Sequence, residues 1–561
     1  MRNRYFVAAL ACATLAFGWG AFADEPAYSP AFSTYLGGSS WEQARGVVAD
    51  DDGYLYVVGG GNSANFPTTE DAYSTTYNGV PGSPGVGNFG PSDVYASKFS
   101  PTGELIWSTF LGGTGYDRAY AVDLDPDNNL VIAGRAGRNF PVTNGAFQTN
   151  FAGTSSPSNY GDQNAFVAKL SNDGGSLLWA SYVGTASLAR NVAVDKDGDI
   201  YLPLVMESNS SRTLPAAFDN AFDNAFMSNP PGNNSSGLVK IRGDGSAVEW
   251  ATWLGGSGND MPPASVRVDD QNRPFIAFST QSTNIPTAGA GAKATHGGQH
   301  DMYLAGFSAD GSELIFGTYV GGNGTDIMET HSLALDADGK PVLTFATNST
   351  NLDTTIPAPP GLGGFSSAVF KFNLDGSVAT SAIFGGSATD AADGIQIDAD
   401  GRVYLSGETR SLDLPVTDDA YQSARPSART AFVMVLSPDL TEIEYATYFG
   451  GSTEELLRAL ALADDGSFTA VGGTLSHDFP TINAYQDSFA GGNGTIGSGD
   501  LVIVRFVPIP EPASGAMLII ASLALFGVRT QRQGSARRWP CSKCWFTSKR
   551  RTCSGVMSCS R

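Results

Sequence analysis

Short segments with alternating apolar and polar residues run through the chain from residue 31 to residue 507. Segments such as DVYASKF (93–99) and NAFVAKL (164–170) have the two-residue period of a β-strand that buries one face. This part of the sequence has no long apolar period of 3.6 residues, which would indicate an amphipathic helix. The pattern therefore predicts an all-β protein with few helices.

A tight Asp-rich turn separates pairs of alternating segments, as in VDKDGDIYL (194–202), and this is a β-hairpin pattern. The aspartate can accept backbone N–H bonds in the turn, and the glycine or asparagine three places later can take the left-handed conformation. A calcium loop of the EF-hand type is disfavoured, because it needs twelve residues and a final bidentate Glu. The turn aspartates are Asp50, Asp125, Asp195, Asp269, Asp336 and Asp398, and the expected left-handed residues are Gly53, Asn128, Gly198, Asn272, Gly339, Gly401 and Gly466.

A glycine pair after an aromatic-rich strand, as in YLGG (35–38), marks a repeat of roughly 65 to 75 residues. The first glycines of the seven copies are Gly37, Gly112, Gly184, Gly255, Gly321, Gly385 and Gly450. Each copy supplies four strands, and a four-stranded unit repeated radially is the blade of a β-propeller. Residues 24–507 are therefore predicted to form a seven-bladed propeller of four-stranded blades.

The order of strands predicts how the ring closes. The segment AFSTYLGG (31–38) is the fourth strand of a unit, and LVIVRF (501–506) is the third strand of the last unit. An open ring would leave two unpaired strand edges, which native proteins avoid. We therefore expect residues 32–36 to pair with residues 501–506.

The repeat resembles a known family. The glycine pair, the Asp–Gly hairpin, Phe-Pro motifs such as DFPT (478–481) and the strand after them resemble the bacterial SBBP β-propeller repeat, most fully over 110–170 and 383–436. The resemblance extends from residue 31 to residue 506 and implies the propeller fold. It implies no activity, because propellers host unrelated functions.

The N-terminus predicts export. Arg2 and Arg4 precede an apolar run over 6–19, and Ala21-Phe22-Ala23 fits a cleavage site. Residues 1–23 are therefore expected to be a signal peptide that directs the chain through the inner membrane.

The segment 508–532 resembles the PEP-CTERM sorting signal of Gram-negative exported proteins. Its apolar run of 13 residues, 516–528, is short of the ~20 residues that a stable membrane span needs. The resemblance implies a transient membrane anchor, processing by a protease of the exosortase type, and release to the cell surface or an extracellular matrix rich in polysaccharide. A fixed C-terminal transmembrane helix is the alternative. The residues that carry the motif are Pro510, Glu511, Pro512, Arg529 and Arg532.

The last segment, 533–561, is basic and holds four of the five cysteines, Cys541, Cys544, Cys553 and Cys559. It lacks the apolar pattern of a core, so a disordered or non-native extension is favoured over a zinc site. Cys12 lies in the signal peptide, so residues 24–540 contain no cysteine and the propeller depends on its core rather than on disulfides.

The acidic net charge of the expected mature chain indicates which partners it can bind. Two basic residues lie in 1–23 and nine from Arg529 onward, which leaves 22 basic against 55 acidic residues in 24–528. An acidic surface repels nucleic acid and anionic lipid. We expect a monomer that binds no nucleic acid.

One acidic position recurs four residues after the second glycine of each pair, except in the third copy, which has Ala189. These residues are expected on one face of the propeller, where an outer strand leads into the next inner strand. Two roles stay open: bonding of local backbone N–H groups, which is favoured, or a ring that binds a ligand or a cation such as calcium. The acidic residues are Glu42, Asp117, Asp260, Asp326, Asp390 and Glu455.

Recognisable hydrolase and nucleotide-binding motifs are missing from the sequence, so no catalytic residue is assigned. His296, His300 and Asp301 lie together in one repeat only, and a metal or other cofactor there is disfavoured. We expect a binding or structural scaffold whose ligand is a glycan or a protein, associated with extracellular polysaccharide. The alternative is a polysaccharide lyase or glycosidase. One pocket of clustered His, Arg, Tyr and acidic residues would favour the enzyme, and a uniform ring would favour the scaffold.

Overall fold

A computed structural model describes residues 28–83, 85–155, 159–206, 214–232, 235–492 and 499–509. The predicted signal peptide, the motif residues of the sorting segment and the cysteine-containing tail lie outside the described residues. Within these ranges, no helix is long and apolar enough to cross a membrane.

The described chain forms seven antiparallel sheets, and one 3₁₀ turn at Ala216–Phe218 is its helical element. The chain starts with β1 (Tyr28–Leu36). Blade 1 then contains β2 (Glu42–Ala49), β3 (Leu55–Gly61), β4 (Asp93–Phe99) and β5 (Leu105–Leu111). Blade 2 contains β6 (Arg118–Leu124), β7 (Leu130–Ala136), the short β8 (Thr154–Ser155), β9 (Asp162–Leu170) and β10 (Leu177–Val183).

The next three blades repeat this arrangement. Blade 3 contains β11 (Ala193–Val194), β12 (Ile200–Met206), β13 (Ser235–Ile241) and β14 (Val248–Leu254). Blade 4 contains β15 (Asp260–Val268), β16 (Pro274–Thr280), β17 (Asp301–Phe307) and β18 (Leu314–Val320). Blade 5 contains β19 (Asp326–Ile327), β20 (Leu333–Leu335), β21 (Pro341–Thr347), β22 (Ser366–Phe372) and β23 (Val378–Phe384).

Two blades complete the ring. Blade 6 contains β24 (Asp390–Ile397), β25 (Val403–Thr409), β26 (Thr430–Leu436) and β27 (Ile443–Phe449). Blade 7 contains β28 (Glu455–Leu462), β29 (Phe468–Thr474), β30 (Asp500–Pro508) and β1. The predicted all-β fold, a seven-bladed propeller of four-stranded blades, is confirmed.

The predicted closure is also confirmed. Strand β1 pairs with β30 in a register that places Phe32 opposite Arg505 and Leu36 opposite Leu501. Arg505 is buried and donates from Nη1 to the carbonyl oxygen of Gly53 in blade 1, at 2.8 Å. The last blade is therefore joined to the first by a side chain as well as by packing.

The first strand of each blade lies at the centre of the ring. Strand β2 contacts both β6 and β28, and β28 contacts β24. We call these first strands the inner strands, and the space between them the central channel. The hydrophobic core lies between neighbouring blades. Trp107 of blade 1 packs with Leu130 and Phe166 of blade 2. The Nε1–H of Trp107 also donates to the carbonyl oxygen of Asn172 in blade 2, at 2.8 Å.

The hairpin turns have the predicted chemistry. The Asp50 carboxylate accepts the N–H of Tyr54 at 2.8 Å, and Gly53 has a φ of 78°. The other turn aspartates accept the equivalent N–H at 2.8–2.9 Å. All seven predicted glycines and asparagines have positive φ angles, because only residues that tolerate this conformation fit there.

Candidate functional site

The six repeated acidic residues lie at or immediately before the start of an inner strand. They are at most 1% exposed. Asp117 is typical: its two oxygens accept the N–H groups of Gly113 and Gly137, both at 2.7 Å. The second glycine of the pair donates in the same way to Glu42, Asp260, Asp326 and Asp390, at 2.7–2.9 Å, and Gly451 bonds Glu455.

The glycine pairs are explained by close packing, because a side chain at either position would collide with a neighbouring residue. A Cβ on Gly38 would lie 2.5 Å from the Cβ of Ser63, and one on Gly112 would lie 2.6 Å from the Cγ of Asp93. Burial raises the pKa of Asp117 to about 7, although its two N–H bonds lower it. The structure thus gives the repeated carboxylates local donors, and their binding of a cation stays a prediction. The described residues contain no group of three or more His, Cys, Asp or Glu that could hold a metal ion.

In four of the inner strands, a β-bulge places one residue in the central channel. The pairing of β2 with β3 skips from Ala44 to Gly46, so Arg45 is left out of the ladder. The same shift releases Tyr120 in blade 2, Asp393 in blade 6 and Arg458 in blade 7. These residues come three places after the repeated acidic residue, and their side chains meet although they belong to different blades.

Four arginines surround one tyrosine at this end of the channel. The guanidinium carbons of Arg45, Arg118, Arg135 and Arg190 lie 5.2–5.5 Å from the centre of the Tyr120 ring. Arg118 and Arg135 are each 6% exposed, and Tyr120 is 2% exposed. We call these four arginines and Tyr120 the arginine cluster.

The arginine cluster lacks carboxylate partners. None of its four arginines forms an ion pair with a described residue, and the Nε–H groups of Arg118, Arg135 and Arg190 are buried without an acceptor among the described residues. Burial lowers the pKa of Arg45, and the charge of Arg118 lowers it further. The Gln43 amide oxygen accepts bonds from Arg45 and Arg118, but a neutral amide does not balance their charge. A buried cation without a counter-ion costs several kcal/mol, and a bound anion would remove that cost.

The four guanidiniums also act on Tyr120. Burial raises the pKa of its hydroxyl, but the positive charges of Arg135, Arg118, Arg190 and Arg45 outweigh burial and lower the pKa to about 7. The phenol can therefore lose its proton near neutral pH and become an internal anion for the cluster.

The opposite side of the channel carries the acidic groups. Arg458 lies 3.6 Å from Glu329 and 3.4 Å from Asp393. Burial raises the pKa of Asp393 well above its usual range, and the charge of Glu329 adds to this. Burial also acts to raise the pKa of Glu329, but Arg458, Arg45 and Arg190 outweigh it and lower this pKa. Glu329 is therefore the ionised member of the pair at neutral pH, and the arginines stay in excess.

Residues 328–332 interrupt the inner strand of blade 5, between β19 and β20, and cross the channel. The backbone oxygen of Thr330 accepts a hydrogen bond from the side-chain amide of Asn191 in blade 3, at 2.9 Å. It accepts another from the hydroxyl of Ser265 in blade 4, at 2.6 Å. The backbone oxygen of His331 accepts the N–H of Ile395 in blade 6 at 3.1 Å. We call residues 328–332 the crossing segment.

The side chain of His331 completes this crossing. Its Nε2 donates to the carbonyl oxygens of Arg45 and Tyr120, at 2.6 Å and 3.1 Å. Burial, together with the charge of Arg267, lowers the pKa of His331 to about 4, so the ring is neutral at pH 7 with a hydrogen on Nε2. Glu329 forms an ion pair with Arg458 of blade 7, so the crossing segment contacts all six other blades. It contacts the arginine cluster through the backbone of Arg45 and Tyr120.

Residues 31–67 match the profile of SBBP, the β-propeller repeat. No curated protein matches the chain.

Solved structures similar to the chain share the propeller fold at low identity. A protein of unknown function from Dyadobacter fermentans is 12% identical, with a TM-score of 0.40, over 86% of this chain and 100% of that protein. The polysaccharide lyase Uly1 is 10% identical, with a TM-score of 0.39, over 83% and 90%. A europium-containing methanol dehydrogenase is 10% identical, with a TM-score of 0.36, over 86% and 93%. These likenesses carry no argument about function.

The positions that the repeats share do not reveal the arginine cluster. The equivalent position holds arginine in blades 1 and 7, tyrosine in blade 2 and aspartate in blade 6, and Arg118, Arg135 and Arg190 lie outside it. The sequence did contain one indication of the cluster: three residues after the shared acid, the repeats carry different residue types. The channel thus gathers Arg, Tyr and acidic residues of different blades, an arrangement that fits the enzyme alternative as well as a binding scaffold.

Proposed function

We propose that this chain is an exported, surface-sorted β-propeller that serves as a binding scaffold for an anionic glycan or protein, with the arginine cluster as its site. The observation that carries the proposal is that the buried Nε–H groups of Arg118 and Arg135 have no acceptor among the described residues. An anion would supply the missing acceptors, and a carboxylate or phosphate fits a guanidinium in bidentate fashion.

The charge of the whole chain makes such a site selective. Residues 24–528 carry 55 acidic and 22 basic residues, so the surface repels polyanions in general. A ligand must therefore gain its affinity from direct contact with the arginine cluster. Repulsion elsewhere rejects polyanions that do not fit, which is a common route to specificity.

Calorimetric titration of the purified protein tests this proposal. Arg135→Gln should weaken the binding of an acidic oligomer at least tenfold, since a charge-assisted bond contributes about 1.5–3 kcal/mol. Arg242→Gln is the matched control, because the Arg242 side chain is 57% exposed and pairs with Glu249 at the edge of blade 3. Equal affinities of the two variants for the oligomer would contradict the proposal.

The proposed export and sorting rest on the sequence of the two ends. The expected mature protein begins at Asp24 and ends near Pro510-Glu511-Pro512, because the short apolar run after this motif suits a processing intermediate. Mass spectrometry of the protein from its native host measures both ends. An intact C-terminus extending through Val528 in the inner membrane would contradict processing.

A second candidate is a lyase acting on an acidic polysaccharide, and Tyr120 favours it. No described residue bonds the Tyr120 hydroxyl, and the arginines hold its pKa at about 7. The phenolate would take the proton from the carbon next to a sugar carboxylate, the freed electron pair would form a C=C bond, and the C–O bond to the leaving sugar would break. The phenol would then return its proton to the leaving oxygen, and the guanidiniums would stabilise the charge on the carboxylate.

The test of this candidate separates binding from chemistry. The wild-type protein should release unsaturated sugars that absorb in the ultraviolet, and Tyr120→Phe should abolish this release while it still binds the polymer. Wild-type protein that binds an acidic polysaccharide without forming unsaturated product would exclude the lyase for that polymer and leave the scaffold.

A further inference from the structure

A row of aromatic side chains leads from the protein surface to the arginine cluster. Phe89 lies 5.1 Å from Tyr160, Tyr160 lies 5.1 Å from Tyr116, and Tyr116 stacks on Trp41 with ring centres 6.3 Å apart. Phe89 is 51% exposed, Tyr160 and Trp41 are half-buried, and Tyr116 is buried. We call these four residues the aromatic row.

The aromatic row is in direct contact with the arginine cluster. The guanidinium carbon of Arg135 lies 4.1 Å from the centre of the Tyr160 ring, and that of Arg118 lies 5.9 Å from the centre of the Trp41 ring. Arg118 also donates from Nη1 to the hydroxyl of Tyr116 at 3.3 Å. The two groups therefore form one continuous set of side-chain contacts, which begins at the exposed Phe89 and ends at the buried, cationic Arg118 and Arg135.

Loops from two blades hold the outer end of the aromatic row in place. Phe89 lies in the long β3–β4 loop of blade 1, and Tyr160 lies in the β7–β9 loop of blade 2. The N–H of Phe89 donates to the carbonyl oxygen of Asn159 at 2.9 Å, and the N–H of Asp162 donates to the carbonyl oxygen of Gly85 at 2.7 Å. These backbone bonds fix the two rings before a ligand arrives, which lowers the entropy cost of binding.

We infer that the ligand is an acidic glycan, whose sugar ring lies on the aromatic row while its carboxylate enters the arginine cluster. A sugar ring presents an apolar C–H face that packs on an aromatic ring, and its carboxylate matches a guanidinium. An acidic peptide offers carboxylates without such a face, and a neutral glycan offers the face without the charge. This inference rests on the proposed function, and it adds the chemical class of the ligand.

The test compares three probes by calorimetric titration of the full chain: an oligouronate, the same oligomer with its carboxyl groups reduced to alcohols, and polyglutamate. The wild-type protein should bind the oligouronate more tightly than either of the others. Phe89→Ala should weaken oligouronate binding about threefold to tenfold, since one aromatic contact contributes about 0.5–1.5 kcal/mol beyond its buried area. The same variant should leave polyglutamate binding unchanged.

The control is Tyr421→Ala, which removes a comparably exposed aromatic residue in blade 6 and should leave all three affinities unchanged. Equal wild-type affinity for oligouronate and polyglutamate, with both weakened in Arg135→Gln, would overturn this inference and leave the proposed function standing. Oligouronate binding that Arg135→Gln does not weaken would overturn the proposed function itself. Equal binding of the reduced oligomer would also overturn the inference, because the carboxylate would then contribute nothing.

Discussion

The repeated acidic residues and the arginine cluster are neighbours in the propeller, yet they differ in how their charges are balanced. Asp117 is fully buried and holds two glycine N–H groups within its own repeat. The next residue, Arg118, is also buried but keeps an Nε–H group without an acceptor among the described residues. Six of the seven repeats carry the acid, and its glycine donors lie within the repeat. Arginine follows the acid position in only two repeats, as Arg118 and Arg190, and no described residue accepts from the Nε–H group of either.

The first prediction concerns a repeated carboxylate far from the arginine cluster. Asp390→Ala should lower the free energy of unfolding by about 3 kcal/mol or more, because it leaves several buried donors without an acceptor, at about 1–3 kcal/mol each. These donors are the N–H of Gly386 and the hydroxyl of Ser411, both at 2.7 Å, and the hydroxyl of Thr409. Urea denaturation measures the change, with the exposed Asp127→Ala as the control. Equal stability of the two variants would show that the shared acid is not structural.

The second prediction concerns pH and the arginine cluster. Ionised Tyr120 neutralises part of the cluster, so an anionic ligand should bind up to about tenfold more weakly at pH 8 than at pH 6. The sign follows from the pKa of about 7: the phenol is neutral below this pH and competes as an anion above it. The charged and titratable groups shown to act on Tyr120 are Arg45, Arg118, Arg135, Arg190 and Tyr116.

Tyr120→Phe is the control for this pH effect, because it keeps the aromatic ring and removes the hydroxyl group that titrates. Its affinity for the anion should be nearly constant between pH 6 and pH 8. A pH dependence in Tyr120→Phe equal to that of the wild-type protein would assign the effect to another group, such as Asp393.

The third prediction concerns calcium and has the smallest expected effect. The six repeated carboxylates are at most 1% exposed and already bonded to glycine N–H groups, so millimolar calcium should leave the melting temperature unchanged. Calorimetry measures it, with magnesium as the comparison. A rise with calcium alone would establish the cation-binding ring that the sequence leaves open, because a ligand of the folded state raises stability.

Repetition explains why so much of the fold could be predicted. Six glycine pairs with one Gly-Thr variant, together with seven Asp-rich turns, reveal the blade, and the leftover strand at 31–38 predicts the closure onto β30. A motif that would be weak evidence in one copy predicts the fold when it recurs at a regular spacing.

The site could not be predicted for the opposite reason. Arg45 and Tyr120 reach the channel because each lies in a β-bulge, and Arg190 and Glu329 join them only when the blades close into a ring. No local pattern specifies such contacts between blades. His331 had a readable signal, since it lies in an insertion: Asp326 and the turn residue Asp336 are ten positions apart, against eight between Glu42 and Asp50. Leu333, and not His331, pairs as Val47 does in blade 1.

The thermal melting of Arg135→Met, measured with and without an acidic oligosaccharide, tests the central claim most directly. If the arginine cluster is kept for a ligand at the expense of stability, removing one unpaired buried charge should raise the melting temperature of the free protein by about 2 °C. It should also abolish the further rise that the oligosaccharide gives the wild-type protein. A variant that melts below the wild-type protein and is still stabilised by the oligosaccharide would show that Arg135 serves the fold and not the ligand.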